Sequence, residues 1–435
     1  MKWGILGPGK VESTRRVRTL NLAATTRAFN EMAVPGLGGV WFGRQIFLAV
    51  LGVQVAQQAR TRDSCATTIV VTNAIEALAC WLALKHATQR DARVRGSEKL
   101  AGVETNDLTF GNASRPGFYV SQPMRMASVS ALPALGMVET SGSRFNGFSS
   151  SPLGRDFIDA MVNDARPHKR NLVDYLVGWV TGNSIAGDTD ALRRGLALQA
   201  PLPQKACELL EMALSQNTPG FPEWQCGRRR DALAWVRTRR NSPLPISWSQ
   251  QPEEIRDKSH WQDLRAGAAF FLMRDAAFNV LDSLEQYIGH AQGRYSLQSE
   301  PEEPVGQAID VLRDRASNFR TLNHSDAEAS RFCSEMLASK PNALIRNLVM
   351  RDDRILRLER DAIRPGPAFQ GIAVAEVSVS DIEEVTVSPE ADGLDFPEGI
   401  SSRVRNLWSL ALDLDHGMDD WLHPRSTPSA SETVR

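Results

Sequence analysis

The sequence predicts a mainly α, multi-domain protein that carries a small β-containing region near its C-terminal end. Three observations predict it. Apolar residues recur at spacings of three and four through most of positions 21–350, the period of a helix with one buried face. Breaks rich in Pro and Gly separate those stretches, as turns between packed helices require. After Arg351 the period changes, and short apolar runs at 355–358, 372–379 and 385–387 read as strands between turn residues. A chain of 435 residues accommodates about two to four domains at roughly 100–200 residues each. The expected division is a helical domain over 1–165, a second over 166–350, a small α+β domain over 351–423 and a disordered tail over 424–435.

Composition narrows the class. Hydrophobic residues make up 42% and charged residues 23%, as in an ordinary globular protein. The net charge of −1 is unevenly distributed: 21 Lys and Arg stand against 12 Asp and Glu over 1–170, and 29 against 39 over the rest. A basic front suits an anionic partner, or the acidic remainder of the same chain. The 42 Arg against 8 Lys read as the bias of a GC-rich bacterial genome. Five cysteines (Cys65, Cys80, Cys207, Cys226, Cys333) show no paired spacing, which points to a reducing cytoplasm and away from disulfides or a Cys-based zinc site. No secretory signal is apparent at 1–10. The apolar run at 46–55 is too short to span a bilayer and reads as a buried helix, so no membrane partner is expected.

In chain order, Gly4 to Lys10 fits GxxxxGK, but Val11 stands where a phosphate loop needs Ser or Thr. The segment reads as a turn. Helices are expected over 21–32, 40–59 and 72–88. Between the first two, Pro35 to Gly39 forms a Gly-rich break. Trp41, Ile46, Val50 and Val53 of the second helix are spaced for a core.

The segment 118–161 is the one that suggests a job. Ser121 can cap a helix with Pro123 in its first turn, and Val129, Leu132 and Leu135 share a face. Gly136 ends that helix. Met137 and Val138 begin an extended piece, Ser141-Gly142 is a hairpin turn candidate, and 144–148 reads as the return strand. Ser151-Pro152 is a second cap and first turn, followed by Leu153, Phe157 and Met161 at spacing four. With Leu132, Gly136-Met137-Val138, the Arg144-bearing hairpin and Ser151-Pro152-Leu153-Gly154, this segment resembles the winged-helix family of DNA-binding domains. Pro133 falls inside the would-be recognition helix, where it removes a backbone donor, and Ser150 stands where the family carries an apolar residue. The resemblance implies that Gln122, Arg125 and Ser128, three apart on one exposed face, read the major groove. It implies that Arg144 and Asn146 on the wing touch backbone or minor groove, and that Arg155 holds a phosphate.

The middle of the chain reads as helices over 171–180, 188–200 and 204–216. A second basic patch follows: Arg228, Arg229, Arg230, Arg237, Arg239 and Arg240, with Trp235 between the clusters. It suits phosphate clamping and base stacking, or a solvated helix with Trp235 in the core. A long apolar helix over 261–289 is expected at the centre of the middle domain. On it Asp275, Asn279 and Asp282 form a polar stripe with no His or Glu to complete a metal set. Ser325 to Glu328 forms a capping box.

The last helix, expected over 400–422, carries Asp413, Asp415, His416, Asp419 and Asp420, with His423 just beyond it. Pairs four apart could meet around a metal, but an amphipathic helix with Leu407, Leu410, Leu414, Met418 and Trp421 on its other face puts its acids in the same places. No GxSxG, HExxH or paired acid-cluster motif occurs, so no catalytic residue, cofactor or metal site is assigned. The reading is a non-catalytic subunit of a larger bacterial assembly acting on DNA, with antiviral defence as the setting. It binds duplex DNA through the winged helix and joins other protein subunits. The alternatives are a protein scaffold that docks through the winged helix and a metal-dependent nuclease using the Asp/His helix.

Overall fold

The computed structural model describes residues 18–142, 144–162, 165–182, 187–240, 247–290, 293–352, 354–370 and 396–424. The expected strands at 372–379 and 385–387, the Gly4 to Lys10 turn and the tail beyond Pro424 lie outside them.

The fold is mainly helical with small two- and three-stranded antiparallel sheets. The chain opens with α1 (Ala23–Ala33), α2 (Gly43–Arg60) and α3 (Thr68–Lys85), then the short α4 (Ser97–Leu100) and α5 (Phe110–Ala113). Two four-residue helices follow, α6 (Arg125–Ser128) and α7 (Ala131–Ala134), then strands β1 (Val138–Thr140) and β2 (Phe148–Ser150). Next come α8 (Pro152–Val162), α9 (Leu172–Val180), α10 (Asp190–Leu196), α11 (Gln204–Ser215) and α12 (Glu223–Arg240). The rest comprises α13 (Lys258–His290), β3 (Tyr295–Ser296), α14 (Glu303–Thr321), α15 (Ala327–Met336), α16 (Pro341–Asp352), β4 (Leu356–Glu359) and β5 (Ala362–Pro365). It ends with α17 (Ser402–Leu414) and α18 (Met418–Leu422).

These elements divide into two compact units, each built from segments far apart in sequence. The strands of the C-terminal region and the last helices, expected together in one domain, fall in different units. Among described residues the first unit holds 18–29, 261–370 and 398–401. From Trp261 onward α13 supplies its core: Phe270 stacks on Phe29 with centroids 4.9 Å apart, and Phe319 closes the cluster edge-on. The sheet has order β3-β5-β4, so Tyr295–Ser296 forms an edge strand. The cap of α15 is Asp326, which accepts from the Ala329 amide at 2.8 Å, one residue after the expected Ser325. The polar stripe on α13 is not a metal set. Asp282 accepts from Arg18, and Asp275 pairs with Arg274 at 2.9 Å.

The second unit holds 30–260, 396–397 and 402–424 among described residues. Its axis is α2, in which every residue from Gly43 through Val53 is buried. It packs against α3, α6, α8, α9 and β2, which is why that stretch has no face exposed to solvent. By length and composition α3 could cross a bilayer, but 67% of it is buried inside the unit. Phe42, ahead of α2, offers no side-chain cap. The cap comes instead from α17, where the Asp413 carboxylate accepts from the Gly43 amide at 2.7 Å.

Candidate functional site

The helix–hairpin–helix segment has the expected order of elements with altered geometry. The first helix is broken into α6 and α7. Pro133 lies within α7 and supplies no amide to a longer helix. Gly136, at φ +68°, turns the chain into β1 in the left-handed region that glycine tolerates. The strands pair with Val138 opposite Ser150, Glu139 opposite Ser149 and Thr140 opposite Phe148. The connection runs over 141–147 instead of a two-residue Ser141-Gly142 turn, and the return strand starts at Phe148 rather than Arg144. Ser151 does cap the next helix, with its Oγ accepting from the Gly154 amide at 2.9 Å. The same hydroxyl donates to the Gly136 carbonyl at 2.7 Å. Gly154 is required because a Cβ there would stand 2.1 Å from the Met137 carbonyl oxygen.

The residues expected to read DNA do not share one exposed face. Ser128 is fully buried, and Gln122 is half-buried. Arg125 is half-buried; its Nε donates to Asn73 Oδ1 at 2.6 Å and its guanidinium lies 5.5 Å from the Phe145 ring centroid. Burial lowers the Arg125 pKa, and Glu76 opposes that shift. The reading face fails because α6 packs onto α2 and Arg125 is tied to Asn73 of α3. Arg144, Asn146 and Arg155 are exposed. Asn146 Oδ1 accepts from the Ile69 amide at 3.0 Å, and Arg155 donates to the Ser150 carbonyl at 2.8 Å.

The second basic patch is largely internal. Arg228 donates to the Met32 carbonyl and to Ser259 Oγ, both at 3.1 Å. Arg229 is buried and donates to the Pro35 carbonyl at 3.3 Å. Trp235 is buried in the core. Arg237 pairs with Glu211 at 2.6 Å and Asp415 at 3.0 Å, and Arg240 also pairs with Asp415. Arg230 is exposed and lies 3.6 Å from Asp231, while Arg239 is half-buried. The acids of the C-terminal helices are partners of this kind. Asp419 accepts from Arg93 at 2.7 Å, and His423 Nε2 lies 3.1 Å from Asp91 Oδ2. His416, at φ +58°, ends α17, so the pairs four apart do not lie on one continuous helix. No group of three His, Cys, Asp or Glu placed to hold a metal occurs among the described residues.

Two features were missed by sequence reasoning. The first is a polar cluster beneath the segment. Glu76 is fully buried in α3, and Tyr119 donates its hydroxyl to the carboxylate. Burial pushes the Glu76 carboxyl up to about 7, against the opposing effects of Tyr119 and Arg125. Burial also pushes the nearby Cys80 thiol up to about 12. A lone acid inside an apolar helix was the available signal.

The second is a groove of about 540 Å³ beside the hairpin. Pro133 and Leu135 line it from one side, Leu153 from the start of α8, and Met212 and Phe221 from α11 and the segment after it. Leu135 is buried; the other four are half-buried, so apolar surface faces the opening. Glu139 is the charged residue among those lining it. The wall is fixed by Thr218, whose Oγ donates to the Ala134 carbonyl at 2.8 Å. No local sequence pattern announces the groove, because its walls come from segments some 60–80 positions apart.

Comparison with protein-family models, with curated proteins and with solved structures finds no match.

Proposed function

We propose that this protein is a non-catalytic docking subunit that engages another protein through its helix–hairpin–helix segment. The observation that carries this reading is the groove lined by Pro133, Leu135, Leu153, Met212 and Phe221. A concave apolar surface framed by polar residues is the usual form of a recognition site. The buried Ser128 and the tethered Arg125 favour docking over base reading by the same segment. A photo-crosslinking residue in place of Thr140 in the full chain tests it. One partner should be captured reproducibly from the native host, and Leu153→Asp should release it. Capture unchanged by Leu153→Asp overturns the proposal.

A second reading, contact with duplex DNA in a bacterial assembly, draws on the exposed Arg144 and Arg155. Both are exposed and can meet phosphates without any reading helix. In that case Arg144→Ala with Arg155→Ala lowers DNA affinity on all sequences alike and flattens its salt dependence. Binding that survives both substitutions removes this reading.

A further inference from the structure

The hairpin register determines which backbone groups of β1 are unused. Ser141 donates to the Gly147 carbonyl at 3.1 Å, so residues 141 and 147 form a hydrogen-bonded pair. Bonded and non-bonded pairs alternate in an antiparallel ladder. Glu139 and Ser149 are therefore bonded to each other, while Val138 and Thr140 direct their amides and carbonyls away from β2. The opposite edge of the ladder agrees: the Ser150 amide turns outward and donates to Gln57 Oε1 on α2 at 3.0 Å. That edge is covered. On β1, no hydrogen bond to the outward groups of Val138, which is buried, or Thr140, which is exposed, occurs among the described residues, and its three residues line the groove.

We infer that the groove takes an extended peptide, which adds as a third strand to Val138–Thr140. The inference rests on the docking reading and names the chemistry of the partner. Two outward amides and two outward carbonyls offer up to four main-chain hydrogen bonds, the basis of recognition by strand addition. Successive side chains of a strand point to opposite faces. One set enters between Leu135, Leu153, Met212 and Phe221 and is apolar. The neighbouring residue meets Glu139, the one charge among the lining residues, and is basic by charge complementarity. The occupant is thus a strand that alternates apolar residues with Lys or Arg.

A dye-labelled peptide of three Lys-Val repeats, with its alternately N-methylated form as control, tests this by fluorescence anisotropy on the full chain. N-methylation removes the peptide's donors and should weaken binding about tenfold or more. Thr140→Pro removes an outward amide and no bond to β2, as edge strands tolerate, and should weaken binding by a similar factor. Glu139→Lys should reverse the preference toward a Glu-Val peptide. On the unsubstituted chain, the Lys-Val peptide should slow hydrogen exchange of the Val138 and Thr140 amides about fivefold or more. Equal binding of the N-methylated peptide, no binding of the Lys-Val peptide, or unchanged exchange at these amides overturns the inference. Where one of these outcomes occurs and the Thr140 crosslink is still lost in Leu153→Asp, docking stands and strand addition alone has failed.

Discussion

Tyr119 donates its hydroxyl to the carboxylate of Glu76 in the interior of the second unit, where both side chains are buried. The second carboxylate oxygen, Oε1, has no hydrogen-bond partner among the described residues. A charged Glu76 is therefore incompletely satisfied, and burial holds its carboxyl up at about 7. The ordinary value is 4.5, so the native state holds this proton more tightly than the unfolded chain. Its stabilising effect is full below about 4.5 and is lost as pH rises through about 7. The loss is on the order of 3 kcal/mol. Urea unfolding at pH 4.5 and pH 8 should show Glu76→Gln falling less between the two than the unsubstituted protein. Parallel losses in both proteins would contradict this.

Asp413 caps α2 across the unit. Removing it leaves the Gly43 amide without that acceptor at the start of a helix that is buried throughout its first turns. Asp413→Ala should cost ~1–3 kcal/mol in chemical denaturation, while Asp413→Asn, which keeps an acceptor, should cost less. Equal losses would mean that the carboxylate acts through its charge, which favours the protonated form of the buried Arg44 of α2, rather than as a cap.

Asp415 and Glu211 hold Arg237, and Asp415 also holds Arg240. These pairs are partly exposed, so Asp415→Asn with Glu211→Gln should lower stability by less than ~1 kcal/mol for each pair. The same double variant frees two cations. If the second basic patch contributes to nucleic-acid binding, duplex affinity rises and its salt dependence steepens. Unchanged affinity would mark these arginines as structural alone.

In the first unit Arg18 pairs with Asp282, with Glu285 at 2.9 Å and with Asp352 at 3.6 Å. Arg18 and Glu285 are buried. Arg18→Met strands acidic groups in the interior and should cost ~3–5 kcal/mol. Thermal unfolding should show the loss, and Arg18→Lys should recover only part of it, because one ammonium cannot reproduce the guanidinium fork. A neutral Arg18→Met would show that this cluster is not coupled to folding.

Much of the local structure is determined by the sequence alone. The periods of 40–59 and 72–88 anticipate α2 and α3, Ser151 caps α8 as expected, and Trp235 sits in the core that its alternative reading provided. Periodicity, caps and turn residues act between neighbours a few positions apart, so a single strand of text carries them. The helix–hairpin–helix order was legible for the same reason. What the tertiary structure decided is where each charge ends up. Asp413, Asp415 and Asp419 look alike in sequence, yet one caps α2, one holds Arg237 and Arg240, and one meets Arg93. Arg228 and Arg229 look like a phosphate clamp and instead donate to carbonyls nearly 200 positions away. The groove beside β1 belongs to the same class. A carboxylate or a cavity wall is given its role by whichever distant segment packs against it, and spacing along the chain does not carry that information.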